Sequence, residues 1–90
     1  MNHVATTPQA LGQILARNRK QKKLSQQNIS KKTTIGQKSI SFAEQGKPGV
    51  KIETIFHILA ALDLEMVIQP RQGSIKSISD SISEIDEEQW

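Results

Sequence analysis

The apolar residues of this chain fall at helical spacing, but only in short windows that capping and turn residues repeatedly cut off. Leu11, Ile14, Leu15 and Asn18 step by 3, 1 and 3, which puts them on one face of a helix predicted over about 8–21. Thr7 is a suitable N-cap for it, and Pro8 occupies the first helical position, where a missing N–H does no harm. Ser25 caps a second predicted helix that runs to about Thr33 with Ile29 inward. Gly36 permits a tight start for a third, Gln37 to Gln45, with Ile40 and Ala43 inward. Gly46-Lys47-Pro48-Gly49 is loop punctuation. Ile52, Ile55, Phe56, Leu59, Ala60 and Leu62 then form the strongest periodic segment, an amphipathic helix of about 52–62. Leu64–Gln69 alternates more and less apolar residues and stops at Pro70, the pattern of a short strand. With 90 residues and 36% hydrophobic content the chain can build one small core, and dimerisation would help to stabilise it.

Charge divides the chain in two. Residues 1–51 hold ten lysines and arginines against a single acid, Glu44, whereas residues 52–90 hold two against eight acids. A basic front end fits a polyanion, and the acidic end fits something else. The absence of cysteine excludes disulfides and zinc-thiolate sites and fits a reducing, cytoplasmic setting. His3 and His57 are too far apart for a helix-borne metal pair. No apolar run has the length of a signal peptide core or a membrane span. No nucleophile stands at a usable distance from a base, and no glycine loop or ligand cluster is present, so neither an enzyme nor a cofactor, metal or small-molecule ligand is expected.

Residues 1–6 read as an arm, 7–69 as the folded unit and 70–90 as a flexible acidic tail. The tail contains five serines and five acids, with Trp90 as its one large aromatic. Its isoleucines, Ile75, Ile78, Ile82 and Ile85, step by 3, 4 and 3. One reading is a solvated low-complexity segment; the other is a seam that folds as an amphipathic helix against a partner. Trp90 has the same two readings, a frayed end or an aromatic anchor steered to a basic surface by Glu84, Asp86, Glu87 and Glu88.

Two short helices joined by Thr34-Ile35-Gly36, after a basic helix and before a hydrophobic one, have the layout of a helix-turn-helix. Gln37, Lys38, Ser39 and Ser41 fall on the exposed side of the second short helix, with Phe42 near its end. Glutamine can pair with adenine, lysine can donate to guanine, and serine can serve base or phosphate. Phe42 is read as a contact to a thymine methyl or a cover for the groove-side backbone. The run 17–23 is a candidate for phosphate contact and Lys38 for a base contact, while Lys31, Lys32 and Lys47 could serve phosphates or only solubility. Ile29, Ile35, Ile40 and Ala43 would lock the two short helices together. His57 is read as half-buried or facing a dimer mate.

Leu24-Ser25-Gln26-Gln27 and Ile40-Ser41-Phe42-Ala43-Glu44-Gln45-Gly46-Lys47 resemble the Xre/Cro/phage-repressor helix-turn-helix family over residues 8–69. The resemblance implies an all-α, lambda-repressor-like bundle of four to five helices. It implies DNA contacts from Gln26, Gln27, Gln37, Lys38, Ser39, Ser41, Phe42 and Lys47, with Gln26 binding phosphate and bracing Gln37. Arg19 and Glu44 occupy the positions of a structural ion pair. The chain departs from the pattern at Thr34, where glycine is usual, so an altered turn and a recognition helix that starts a residue late are expected. Ser30 also replaces the usual alanine.

Leu64–Gln69, the Ile55–Leu59 helix and the acidic tail ending in Trp90 are similar, more narrowly, to HipB-type antitoxins, the partners of HipA-type Ser/Thr kinase toxins. That resemblance implies a homodimer paired through Leu64, Met66, Val67 and Ile68, a palindromic operator, and a tail whose isoleucines and Trp90 reach the toxin. It places the protein in the bacterial cytoplasm, with the nucleoid. Two other readings stay open: a stand-alone repressor with an inert tail, and a protein-interaction adaptor that never touches DNA. If Gln37 reads a base, Gln37→Ala weakens operator binding by about 1–3 kcal/mol and relaxes preference at one base pair. Titrating matched and mismatched duplexes checks this, and unchanged discrimination removes Gln37 from the readout.

Overall fold

The computed structural model describes residues 2–71, and its helices begin and end where local hydrogen bonds dictate. Thr7, in an extended conformation, accepts the Ala10 N–H at 3.0 Å through its hydroxyl and opens α1 (Pro8–Gln21). Arg19 and Lys20 lie in the last turn of α1, where positive charge suits the helix dipole. Ser25 opens α2 (Gln26–Thr33) with a reciprocal box: its hydroxyl accepts the Asn28 N–H at 3.0 Å, and Asn28 Oδ1 accepts the Ser25 N–H at 2.8 Å. The third helix, α3 (Gln37–Gln45), ends at Gly46, and α4 (Ile52–Ala61) completes the set. These are four helices among the described residues, at the lower end of the expected four to five.

The expected late start of α3 does not occur. The residue itself takes the left-handed conformation, φ 63°, and α3 starts at Gln37. Such a backbone costs a residue with a Cβ roughly 1–2 kcal/mol. Hydroxyl groups around the turn offset it. Ser30 Oγ donates to the Ile35 carbonyl at 2.6 Å, Thr33 Oγ1 accepts the Ile35 N–H at 3.2 Å, and Thr34 Oγ1 donates to the Thr33 carbonyl. Ser30, in place of the usual alanine, therefore pins the turn that Thr34 strains. Gly36 lies at φ −63°, a value open to any residue, so its lack of a side chain is not what starts α3.

Helix α3 packs against all three of the others, and the core lies around it. Leu15, Ile29, Ile40, Ile58 and Leu62 are fully enclosed, with Ala43, Ile55 and Leu59 completing the cluster and Leu11, Leu24 and Ile35 packed at its edge. Helix α4 requires a correction. Its inward face is Ile55, Ile58, Leu59 and Leu62, while Ile52 and Phe56 are 64% and 51% exposed and Ala60 is also outside. The apolar arc of this helix is wider than the core it meets, so periodicity alone assigned too many residues inward. His57 is exposed in the single chain.

The expected strand is also absent among the described residues. Asp63 turns the chain at φ 58°, the Leu64 N–H bonds back to the Leu59 carbonyl at 2.8 Å, and residues 64–71 continue as irregular backbone. A strand exists only with a ladder partner, and the described residues supply none. Ile75, Ile78, Ile82, Ile85 and Trp90 lie outside the described residues. No helix among the described residues is long and apolar enough to cross a membrane.

Two glycines let α1 and α3 approach backbone to backbone. A Cβ on Gly12 would collide with the carbonyl oxygens of Ala43 and Glu44. One on Gly46, at φ +70°, would meet the Gln9 backbone. Backbone cannot step aside as a side chain can. Gly12→Ala therefore costs about 1–3 kcal/mol through overpacking, more than the roughly 1 kcal/mol alanine gains over glycine inside a helix. A lowered urea midpoint with an unchanged slope is the expected result.

Candidate nucleic-acid interface

The position of α3 is set by one carboxylate. Glu44 receives Arg19 in a two-pronged ion pair, Nε to Oε2 at 2.6 Å and Nη2 to Oε1 at 3.0 Å, with both side chains about nine-tenths enclosed. The third guanidinium nitrogen, Nη1, donates to the Leu24 carbonyl at 2.9 Å, at the bend between α1 and α2. Gln26 Nε2 donates to Glu44 Oε1 at 3.0 Å. Carboxylate and guanidinium thus join the end of α1, the start of α2 and the end of α3, in the planar fork geometry that arginine favours. Gln26 spends this bond on Glu44, not on Gln37. The Oε1 and second amide proton of Gln26 remain for other partners.

This arrangement has an electrostatic consequence. Of the ten lysines and arginines in residues 1–51, the nine other than Arg19 are all exposed. Glu44 is the only acid in that stretch and is enclosed with Arg19. The surface built by residues 2–51 therefore displays cations with no acidic side chain between them. Field lines from such a surface attract polyanions at long range and are screened by salt.

Among the residues singled out on α3, Gln37, Lys38 and Ser39 are exposed, and Ser41 and Phe42 are half-buried. Gln45 Nε2 donates to Ser41 Oγ at 2.8 Å, which leaves the Ser41 hydroxyl proton to point to a further acceptor. Gln27 is exposed on the first turn of α2, and Lys47 follows the αL residue Gly46. Lys47 Nζ stands 4.5 Å and Lys38 Nζ 5.7 Å from the centroid of the Phe42 ring, a grouping the sequence reading did not foresee. The i, i+4 spacing of Lys38 and Phe42 was the available signal; the return of Lys47 over the ring depends on the loop.

Two further groups of exposed side chains are apolar. Ile52, Phe56 and Ala60 form an exposed row on α4, and Met66, Val67 and Ile68 are 38%, 68% and 93% exposed, while Leu64 is half-buried. Sequence reasoning found the second group and placed the first in the core. Among the described residues no three histidine, aspartate or glutamate side chains gather as a metal site.

The helix-turn-helix family HTH_3 matches residues 15–68. No curated protein matches the chain significantly. Among solved structures, a chain of a HipB–O4 20mer complex is 27% identical with a TM-score of 0.74, over 79% of this chain and 100% of that one. A chain of a HipA–HipB–O2–O3 complex gives the same figures, 27%, 0.74, 79% and 100%. A chain of a HipB–O1–O2 complex is 28% identical with a TM-score of 0.71, over 76% and 99% of the two chains.

Glu44→Gln leaves the Arg19 guanidinium enclosed without its counter-charge. It is expected to cost about 3 kcal/mol, near the lower end of the range for opening a buried pair. Replacing both partners by methionine restores much of the loss. Urea unfolding of the two variants checks this, and a single variant no less stable than the double one contradicts it.

Proposed function

The chain belongs to the helix-turn-helix family HTH_3, and from that premise we propose that it is a dimeric, sequence-specific DNA-binding repressor. In this reading it serves as the antitoxin of a HipA-like Ser/Thr kinase toxin and represses its own operon. The observation that carries the proposal is the exposed side of α3, with Gln37, Lys38 and Ser39 outward on a surface whose only acid is enclosed. These are side chains that address base edges and phosphates, on a helix narrow enough to enter the major groove. Gln27, Ser41, Phe42 and Lys47 flank them, and Gln26 acts from the α2 N-terminus. The likeness to chains of a HipB–O4 20mer complex and a HipA–HipB–O2–O3 complex supports both partners.

The dimer rests on two groups of exposed apolar side chains. Ile52, Phe56 and Ala60 on α4 are one, and Met66, Val67 and Ile68 are the other, and a chain of this size gains by burying them. In the dimer, Leu64 to Gln69 pairs with its twofold mate as a two-stranded ribbon, which supplies a ladder partner that is absent among the described residues. Two recognition helices then address half-sites roughly 34–36 Å apart, or a multiple of that, on a palindromic operator. The tail, through Ile75, Ile78, Ile82, Ile85 and Trp90, reaches the kinase.

Phe56→Glu is expected to shift the chain from dimer to monomer in light scattering and to weaken operator binding steeply. Deleting residues 71–90 is expected to leave DNA binding unchanged and to weaken capture of a HipA-like kinase. In both cases affinity for DNA falls with salt, by about 0.9 of a logarithmic unit per phosphate neutralised for each tenfold rise in salt. Salt-indifferent binding would instead favour the adaptor reading, and a kinase that binds neither form would favour the stand-alone repressor.

A further inference from the structure

Phe42 is the one aromatic side chain on α3, and its neighbourhood is unusual for a helix that otherwise presents polar groups. It is half-buried, so the fold holds part of the ring while the rest remains accessible. Two ammonium groups stand over the ring, Lys47 Nζ at 4.5 Å and Lys38 Nζ at 5.7 Å from its centroid. Both fall within the roughly 6 Å over which an aromatic face attracts a cation.

The backbone explains the convergence. Lys38 reaches the ring along α3 from four residues earlier, the spacing at which helical side chains meet. Lys47 comes back from the other end. Gly46 reverses the chain at φ +70°, its N–H bonds to the Ala43 carbonyl at 3.1 Å, and the Lys47 N–H bonds to the carbonyl of Phe42 itself at 3.1 Å. No substituted residue fits at Gly46, because a Cβ would meet the Gln9 backbone. The reversal that seats α3 against α1 is therefore the same one that brings Lys47 to the ring.

Two like charges beside one ring repel each other, and the nearby carboxylate of Glu44 is already engaged by Arg19 and Gln26. The negative face of the ring is what draws both cations there. A lysine that must become ordered on binding loses much rotamer freedom, and one already held over a ring has less to lose. We propose that Phe42 is a positioning residue for DNA-backbone binding: it pre-orders Lys38 and Lys47 as a pair of cations for phosphates and adds affinity through them, not by touching a base. This inference rests on the DNA-binding reading above.

The test uses the full chain and, as probe, a fluorescent mixed-sequence duplex of about 30 base pairs, titrated over a salt series. Phe42→Leu is expected to weaken binding about three- to tenfold at low salt, the range of exposed and partly desolvated cation–π attraction. It is expected to have no further effect in a chain that already carries Lys38→Met and Lys47→Met. Phe42→Tyr keeps the ring and retains the parent affinity. Thermal melts verify folding, and if Phe42→Leu fails to fold, Phe42→Met supplies a ring-free side chain of similar volume. An equal loss in both lysine backgrounds overturns the proposal. So does a loss on replacing the duplex thymines by uracil that disappears in the ring-free variant, since that outcome makes the ring a methyl contact. If the parent chain shows no salt-dependent binding to this duplex, the DNA-binding reading falls together with the inference; if it binds, only the role of Phe42 is at stake.

Discussion

Much of this molecule hangs on the contact between Arg19 and Glu44. The buried apolar cluster contains eight residues, drawn from all four helices and the residue that ends α4, and such a core sets distances between helices more firmly than it sets their rotation. The guanidinium supplies the missing orientation. Its nitrogens reach Glu44 near the end of α3 and the Leu24 carbonyl at the bend before α2, while Gln26 joins the same carboxylate from α2. Enclosing an ion pair returns little net stability, because desolvation cancels most of the attraction. Its contribution is geometric: wrong rotations of α3 leave a charge enclosed and unpaired.

The same carboxylate shapes the exterior. Withdrawn into the pair, it leaves the surface of residues 2–51 without an acidic side chain, so a structural contact and an electrostatic property have one cause. Backbone packing supports both. Gly12 and Gly46 allow α1 and α3 to touch without intervening side chains, and the turn before α3 is held by the hydroxyls of Ser30, Thr33 and Thr34. A helix that addresses a groove must be placed to within a fraction of an ångström. Backbone contacts and short hydroxyl bonds achieve this better than long flexible side chains.

Local chemistry was legible in the sequence because it acts within a few residues. Thr7, Pro8 and Ser25 mark helix starts, Gly46 ends α3 in the left-handed conformation, and the spacing of Leu15, Ile29, Ile40 and Ala43 identifies core positions. The segregation of charge before and after residue 51 needs no structure at all. Other features escaped for a common reason, namely that they depend on which surfaces meet. Ile52 and Phe56 share the periodicity of Ile55 and Leu59 yet lie outside, because no element among the described residues covers that side of α4. Leu64–Gln69 has the alternation of a strand but forms none without a partner.

The sequence by itself determined where the helices begin and end, which residues could enter the core, and that basic and acidic groups occupy opposite ends of the chain. These follow from caps, periodicity and composition, which are local or additive. Only the tertiary structure decided that Gln26 turns to Glu44, that Thr34 accepts a strained backbone, and that Lys38 and Lys47 converge on Phe42. Each of these is a choice among several partners of suitable chemistry, and the choice is made by the distance left once the helices have packed.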